Sequence, residues 1–159
     1  MDKKLLIASI VDKLSAEMES IAKSAMSAHD EATHPNEKQE NQFDTPGLET
    51  SFLAEGQVKV AAELREAADA FRGLEMHEFA PGEAITLGAL VKVEVRGEPA
   101  FFVLGPKGGG LEVTFDGHNV TVLTAQSPLG RKLLGRHAGE TIPADPVPGA
   151  RPLKILSVS

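Results

Sequence analysis

Residues 30–49 carry six carboxylates, Asp30, Glu31, Glu37, Glu40, Asp44 and Glu49, with Lys38 as the single counter-charge. Carboxylates at that density have two ordinary uses. They solvate and stabilise helix starts, where the positive end of the helix dipole favours them. They also hold hard divalent cations such as Mg²⁺, which take one or two protein carboxylates and complete their shell with water and substrate phosphate. Spacing alone does not separate the two uses. His29, just before this stretch, and His34, within it, would extend a metal site, although loop histidines are usually just solvated.

Other chemistry thins out along the rest of the chain. There is no cysteine among the 159 residues, which excludes disulfides, thiolate metal sites and cysteine nucleophiles. Trp and Tyr are absent and seven Phe are the only aromatics, so base-stacking platforms of the usual kind are not expected. Gly108-Gly109-Gly110 lacks the following helix and Lys-Ser/Thr of a phosphate loop and reads as a mobile hairpin connection. Ser127 sits in no nucleophile elbow, and a helix cap explains it. No self-contained active site is visible.

The elements that position the acidic segment are legible. Ile7, Val11, Leu14, Met18, Ile21, Ala25 and Ala28 step alternately by four and three, a heptad seam on a helix from Lys3 to His29 about 40 Å long. Leu53, Gln57, Val60, Leu64, Ala67, Phe71 and Leu74 form a second seam, polar only at Gln57. Pro35 should end or reshape the first helix, while Thr45 and Pro46 have the N-cap and first-position chemistry of a second, with Glu49 in its first turn. Two such helices joined by one loop make an antiparallel coiled-coil hairpin with the carboxylates at its tip.

After residue 75 the periodicity shortens. Strands are expected within 84–95, 98–104, 119–124 and 152–158, with a further short one at 112–115. Ser127-Pro128 opens a short helix that Gly135 stops. The expected fold class is therefore α+β: the hairpin at residues 1–75, then a mostly antiparallel sheet with one helix at 76–159, with the boundary near Gly73 to Pro81. Charge divides the same way. Net charge is −7 overall, with eight basic and fifteen acidic residues before residue 76 and eight of each after it. That balance speaks against autonomous duplex DNA binding, whose affinity comes mainly from neutralised phosphates. The apolar start Leu5-Leu6-Ile7 is interrupted by Asp12, Lys13, Glu17 and Glu19, unlike a signal peptide, and no uncharged run approaches a membrane span. A soluble cytoplasmic protein with no membrane partner is expected.

The run Val122-Leu123-Thr124-Ala125-Gln126-Ser127-Pro128-Leu129-Gly130-Arg131-Lys132-Leu133-Leu134-Gly135-Arg136-His137-Ala138-Gly139-Glu140 resembles the C-terminal signature of the bacterial Gre transcript-cleavage factors. The closing Leu153-Lys154-Ile155-Leu156-Ser157-Val158 resembles that family's last strand, and total length and the order of coiled coil before sheet agree. The resemblance implies an FKBP-like C-terminal domain that docks on bacterial RNA polymerase at the rim of the secondary channel. It implies a coiled coil entering that channel, where tip carboxylates help hold a Mg²⁺ shared with the polymerase active centre and not bound stably alone. The polymerase then hydrolyses the 3′ end of backtracked RNA by two-metal chemistry. On that resemblance the chain is no enzyme by itself, and it meets the nascent RNA 3′ end only indirectly. Asp44 and Glu49 are the implied catalytic and metal residues, and Ser127, Pro128, Leu129 and Gly130 the implied partner contacts, though a structural role in the strand-to-helix turn fits those four equally. No autonomous sequence-specific DNA binding is expected, and the isomerase chemistry associated with an FKBP-like fold does not follow from fold alone.

The sequence departs from the family at the tip. The family has an Asp and a Glu three residues apart, then Asn, Ala, Glu and an aromatic. Aligning Phe52 with that aromatic puts Thr45 and Leu48 at the two carboxylate positions, with Asp44 and Glu49 each displaced by one. Glu37 and Glu40 have the three-residue spacing but precede the second helix. Two readings stay open: a rebuilt tip that still delivers metal, or a channel-binding regulator that acts by occupancy alone.

Overall fold

The computed structural model describes residues 1–33 and 45–159, with side chains described for 1–24 and 55–159. Helix α1 spans Lys3–Thr33 and α2 spans Thr45–Arg72. Strands β1 (Leu90–Val95), β2 (Glu98–Leu104), β3 (Glu112–Phe115) and β4 (His118–Leu123) follow, then helix α3 (Pro128–Leu133) and strands β5 (Thr141–Ile142) and β6 (Leu153–Val158). The fold class is α+β, a helical hairpin followed by a sheet domain with one short helix. Two compact units divide the chain: residues 12–68, and residues 1–11 together with 69–159. The start of α1 and the end of α2 thus belong to the sheet unit, as an antiparallel hairpin requires.

Helix α1 begins because Asp2 caps it: its Oδ1 accepts from the backbone N–H of Lys4 at 2.9 Å and of Leu5 at 3.2 Å. It ends at Thr33, two residues before Pro35. Of its expected seam, Ile7 and Leu14 are buried and Val11, Met18 and Ile21 half-buried, while the side chains of Ala25 and Ala28 lie outside the described residues. Leu6 and Ile10, off that seam, are fully buried as well. In α2 the seam differs from expectation by one position. Val60 is 44% exposed whereas Ala61 is 7% exposed, and burial runs through Ala61, Ala67, Ala68 and Phe71. Neighbouring residues lie about 100° apart around a helix, so a 3.6-residue period leaves the choice between 60 and 61 to packing. The alanine is the one turned inward. Helix α2 also opens at Thr45 itself, so Glu49 is its fifth residue and lies past the first turn, where the dipole's pull has weakened.

The sheet runs in the order β3-β4-β2-β1-β6-β5. All neighbouring pairs are antiparallel except β2 with β4, which is parallel. Residues 105–111 therefore carry the chain from β2 past the place of β4 to the outer strand β3. This corrects the expectation for the triple glycine: it is a crossing segment pinned to β4, with Gly110 N–H donating to the Val122 carbonyl at 2.8 Å, and no hairpin turn. The first expected strand shortens to 90–95 because Thr86–Ala89 form a turn, with Gly88 at φ 87°.

Adjacent residues are buried on the central strands: Leu90 and Val91, Val103 and Leu104, Val122 and Leu123. Successive side chains on a strand point to opposite faces, so both faces of the sheet are covered. One face holds the main core, where Ile85, Ala89, Val91, Val93, Leu104, Leu123, Leu133, Ile142, Leu153 and Ile155 cluster. On the other, Phe71 lies against Gly105 and Val122. A Cβ on Gly105 would stand 2.4 Å from Phe71 Cζ and 3.0 Å from Val122 Cγ1, so glycine there is what admits the ring.

Candidate docking site

The turn from β4 into α3 is built around Ser127. Its hydroxyl donates to the Thr124 carbonyl at 2.8 Å and accepts from Gly130 N–H at 3.1 Å, capping the helix. Pro128 occupies the start of the helix, where its missing N–H costs nothing. Gly130 is buried, and a Cβ on it would stand 1.9 Å from the Thr124 carbonyl oxygen and 2.6 Å from Ser127 Oγ. No other residue type fits there without moving the β4–α3 turn. Leu129 packs against the main core.

Both later glycines of this stretch have backbone reasons. Gly135 (φ 79°) donates to the Ile85 carbonyl at 2.9 Å, and Gly139 (φ 90°) donates to that of Ile155 at 2.8 Å. The Ile85 and Ile155 amides return the connection, to Arg136 and Glu140 carbonyls at 2.8 and 2.9 Å. The segment after α3 is thereby strapped to a preceding loop and to β6. The end of α3 and this segment form a charged surface: Lys132 pairs with Asp145 at 2.6 Å, and Glu140 lies 3.4 Å from His137 Nδ1 and 3.9 Å from Arg136 Nη1. The Glu140 carboxyl is held below its ordinary value, first by the backbone N–H of His137, against an opposing effect of burial, and then by the His137 side chain and Arg136.

Three of the four expected contact residues are thus committed to shaping the turn. Ser127 caps, Leu129 packs, Gly130 must lack a side chain. Pro128 alone is exposed, and beside it the exposed Ala125, Gln126 and Arg131 offer the surface a partner would meet. The sequence pattern marked the residues that build this turn; Gln126 and Arg131, exposed beside it, carry no such signal.

Asp44 lies outside the described residues, and of Glu49 only the backbone, in α2, is described. His29, His34, Glu37 and Glu40 likewise have no described side chains. Among the described residues no three His, Asp or Glu side chains stand together as metal ligands, and no helix is long and apolar enough to cross a membrane.

No protein-family model and no curated protein matches this sequence. Among solved structures, the chain is similar to the crystal structure of GreA factor homolog 1 (Gfh1) of Thermus thermophilus, at 20% identity over 96% of this chain and 94% of that one, with a TM-score of 0.38. It is similar to the crystal structure of Thermus aquaticus Gfh1 at 20% identity over 92% of each chain, TM-score 0.38. A third structure, described as the transcription factor Gfh1, is similar at 20% identity over 94% of this chain and 93% of that one, TM-score 0.39.

Proposed function

We propose that this chain is a transcription factor that binds bacterial RNA polymerase through its secondary channel, docking by the sheet unit and presenting the acidic segment between α1 and α2 to the active centre. The carrying observation is the β4–α3 turn. Within the Gre-like signature, Ser127 caps α3, Pro128 opens it and Gly130 has no room for a Cβ, while Gly135 and Gly139 take positive φ in the segment that follows.

Asp44 and Glu49 are the residues we assign to Mg²⁺ shared with the polymerase, stimulating hydrolysis of backtracked RNA by the polymerase itself. The alternative, a regulator that occupies the channel without stimulating cleavage, is favoured by one sequence fact: Thr45 and Leu48 stand where the family has its carboxylates.

A single assay separates them: 3′ RNA cleavage in a backtracked elongation complex, with Mg²⁺ and the cognate polymerase. Release of short 3′ fragments, lost in Asp44→Ala/Glu49→Ala while polymerase binding persists, establishes delivery of metal. Binding without fragment release establishes occupancy alone. Arg131→Glu, a change on the exposed side of α3, should weaken binding in either case without unfolding the chain. Undiminished binding by that variant would move the docking surface away from this turn.

A further inference from the structure

The turn joining β1 to β2 has two residues, since Val95 pairs with Glu98 across it. Both central residues are left-handed, Arg96 at φ 56° and Gly97 at φ 80°. Such a turn favours Gly, which has no Cβ to meet the carbonyl oxygen, and Asn or Asp, whose short polar side chains bond to the local backbone. The β3–β4 hairpin obeys the preference, with Asp116 at φ 50° and Gly117 at φ 75°. The β1–β2 hairpin instead places an arginine where the backbone disfavours one. That choice adds nothing to the turn, so its reason lies with the guanidinium.

The guanidinium borders an open cleft. A cavity of about 470 Å³ is lined by Val95, Arg96, Glu98, Gly149, Arg151 and Leu153 among others, and an adjoining one of about 480 Å³ by Arg96, Arg151 and Pro152. Both arginines therefore face both cavities. Arg96 Nη2 makes one long bond, 3.4 Å, to the Gly149 carbonyl, which leaves its other donors open. Arg151 is exposed and has no side-chain partner among the described residues. Glu98 is the single carboxylate lining the cleft, so the local charge is positive in a chain of net charge −7.

We propose that this cleft binds the phosphate group of a small ligand between Arg96 and Arg151. Two guanidinium forks supply planar pairs of N–H donors matched to phosphate oxygens, and cavities of a few hundred Å³ suit a small phosphorylated molecule. The inference is independent of the polymerase reading and needs none of its residues.

The test is an amide NMR titration of the full chain with inorganic pyrophosphate and, separately, with AMP, at fixed ionic strength. Saturable shifts centred on Arg96, Gly97, Gly149 and Arg151 are expected with at least one of them. A response to pyrophosphate alone assigns an inorganic source, and a stronger response to AMP assigns a nucleotide. Arg151→Gln should weaken binding at least tenfold, and Glu98→Gln should tighten it several-fold by removing the one opposing charge. Arg96→Asn is the sharpest variant: binding should weaken while the thermal midpoint rises, because Asn suits the turn better. Absence of saturable shifts at these amides overturns the proposal. So does equal binding of citrate, or binding unchanged in Arg151→Gln.

Discussion

Among the residues whose side chains are described, those of the helical unit and those of the sheet unit bury apolar surface on very different scales. Among the described residues of the helical unit, Leu14 is the one large side chain that is fully buried, and its other buried positions are Ala61, Ala67 and Ala68. That unit also encloses Gln57 Oε1 without a hydrogen-bond partner, while Val58 and Val60 stand 57% and 44% exposed. The sheet unit closes both faces of its central strands and strings its loops to one another by backbone bonds. The difference teaches where each unit's residues are constrained. In the sheet unit a change of one atom is felt, because interiors are close-packed. Along the helices many residues are interchangeable, which leaves composition free to serve a task such as charge.

Truncation in each unit puts numbers on this contrast. Ile155→Ala, at a fully buried position in the main core, should cost about 4 kcal/mol, whereas Leu14→Ala, in a unit whose other described buried positions are alanines, should cost about 2, toward the lower end for such changes. Urea denaturation of each variant measures both. Equal costs would break the comparison. Gly130→Ala comes next: with the Thr124 oxygen 1.9 Å from the new carbon, the turn must open, at about 3 kcal/mol. On the proposed function, polymerase binding should fall with it, because the same turn frames the proposed docking surface.

How much of this was legible in the sequence follows the same division. Period alone placed α1, β2, β4 and β6 to within a few residues, and Ser127-Pro128 marked the start of α3. What escaped were features set by tertiary contact. Leu6 and Ile10 are off the heptad seam and are buried nonetheless, because the start of α1 belongs to the sheet unit. Ala61 displaced Val60 by packing. The two-residue strand β5 is held by pairing with β6 and has too few residues to show a period. The parallel pairing of β2 with β4 is a fact of chain crossing that no local pattern encodes. At the β4–α3 turn, Ser127 and Pro128 were legible because helix-start geometry dictates them. Gln126, Arg131, Arg96 and Arg151 were not, since exposed side chains leave no mark of burial or period.

Gln57 gives a change of opposite sign. Its side-chain oxygen is buried without a partner, so Gln57→Leu should stabilise the helical unit by about 1 kcal/mol, the desolvation cost of that oxygen. Amide exchange along α2 would measure it. A destabilised variant would mean that the polar seam position holds the pairing of the two helices, the known use of a lone polar residue in a coiled coil.

The smallest effect should be the dependence on acid, and it separates the units again. Glu83 accepts from Ala80 N–H at 2.8 Å and bonds His77, and Glu140 accepts from His137 N–H, all within the sheet unit. Both carboxyls are held below their ordinary value of about 4.5, each chiefly by its backbone N–H. A depressed carboxyl stabilises the fold above the ordinary value, and that contribution is lost as pH falls through the folded one. Acid below about pH 4.5 should therefore loosen the loops at residues 77–83 and 136–140 first, while α2 keeps its amide protection. Glu83→Gln/Glu140→Gln should show a shallower decline of thermal midpoint with acid than the parent. The same slope in both would place the acid-sensitive groups elsewhere and remove pH as a way to tell the two units apart.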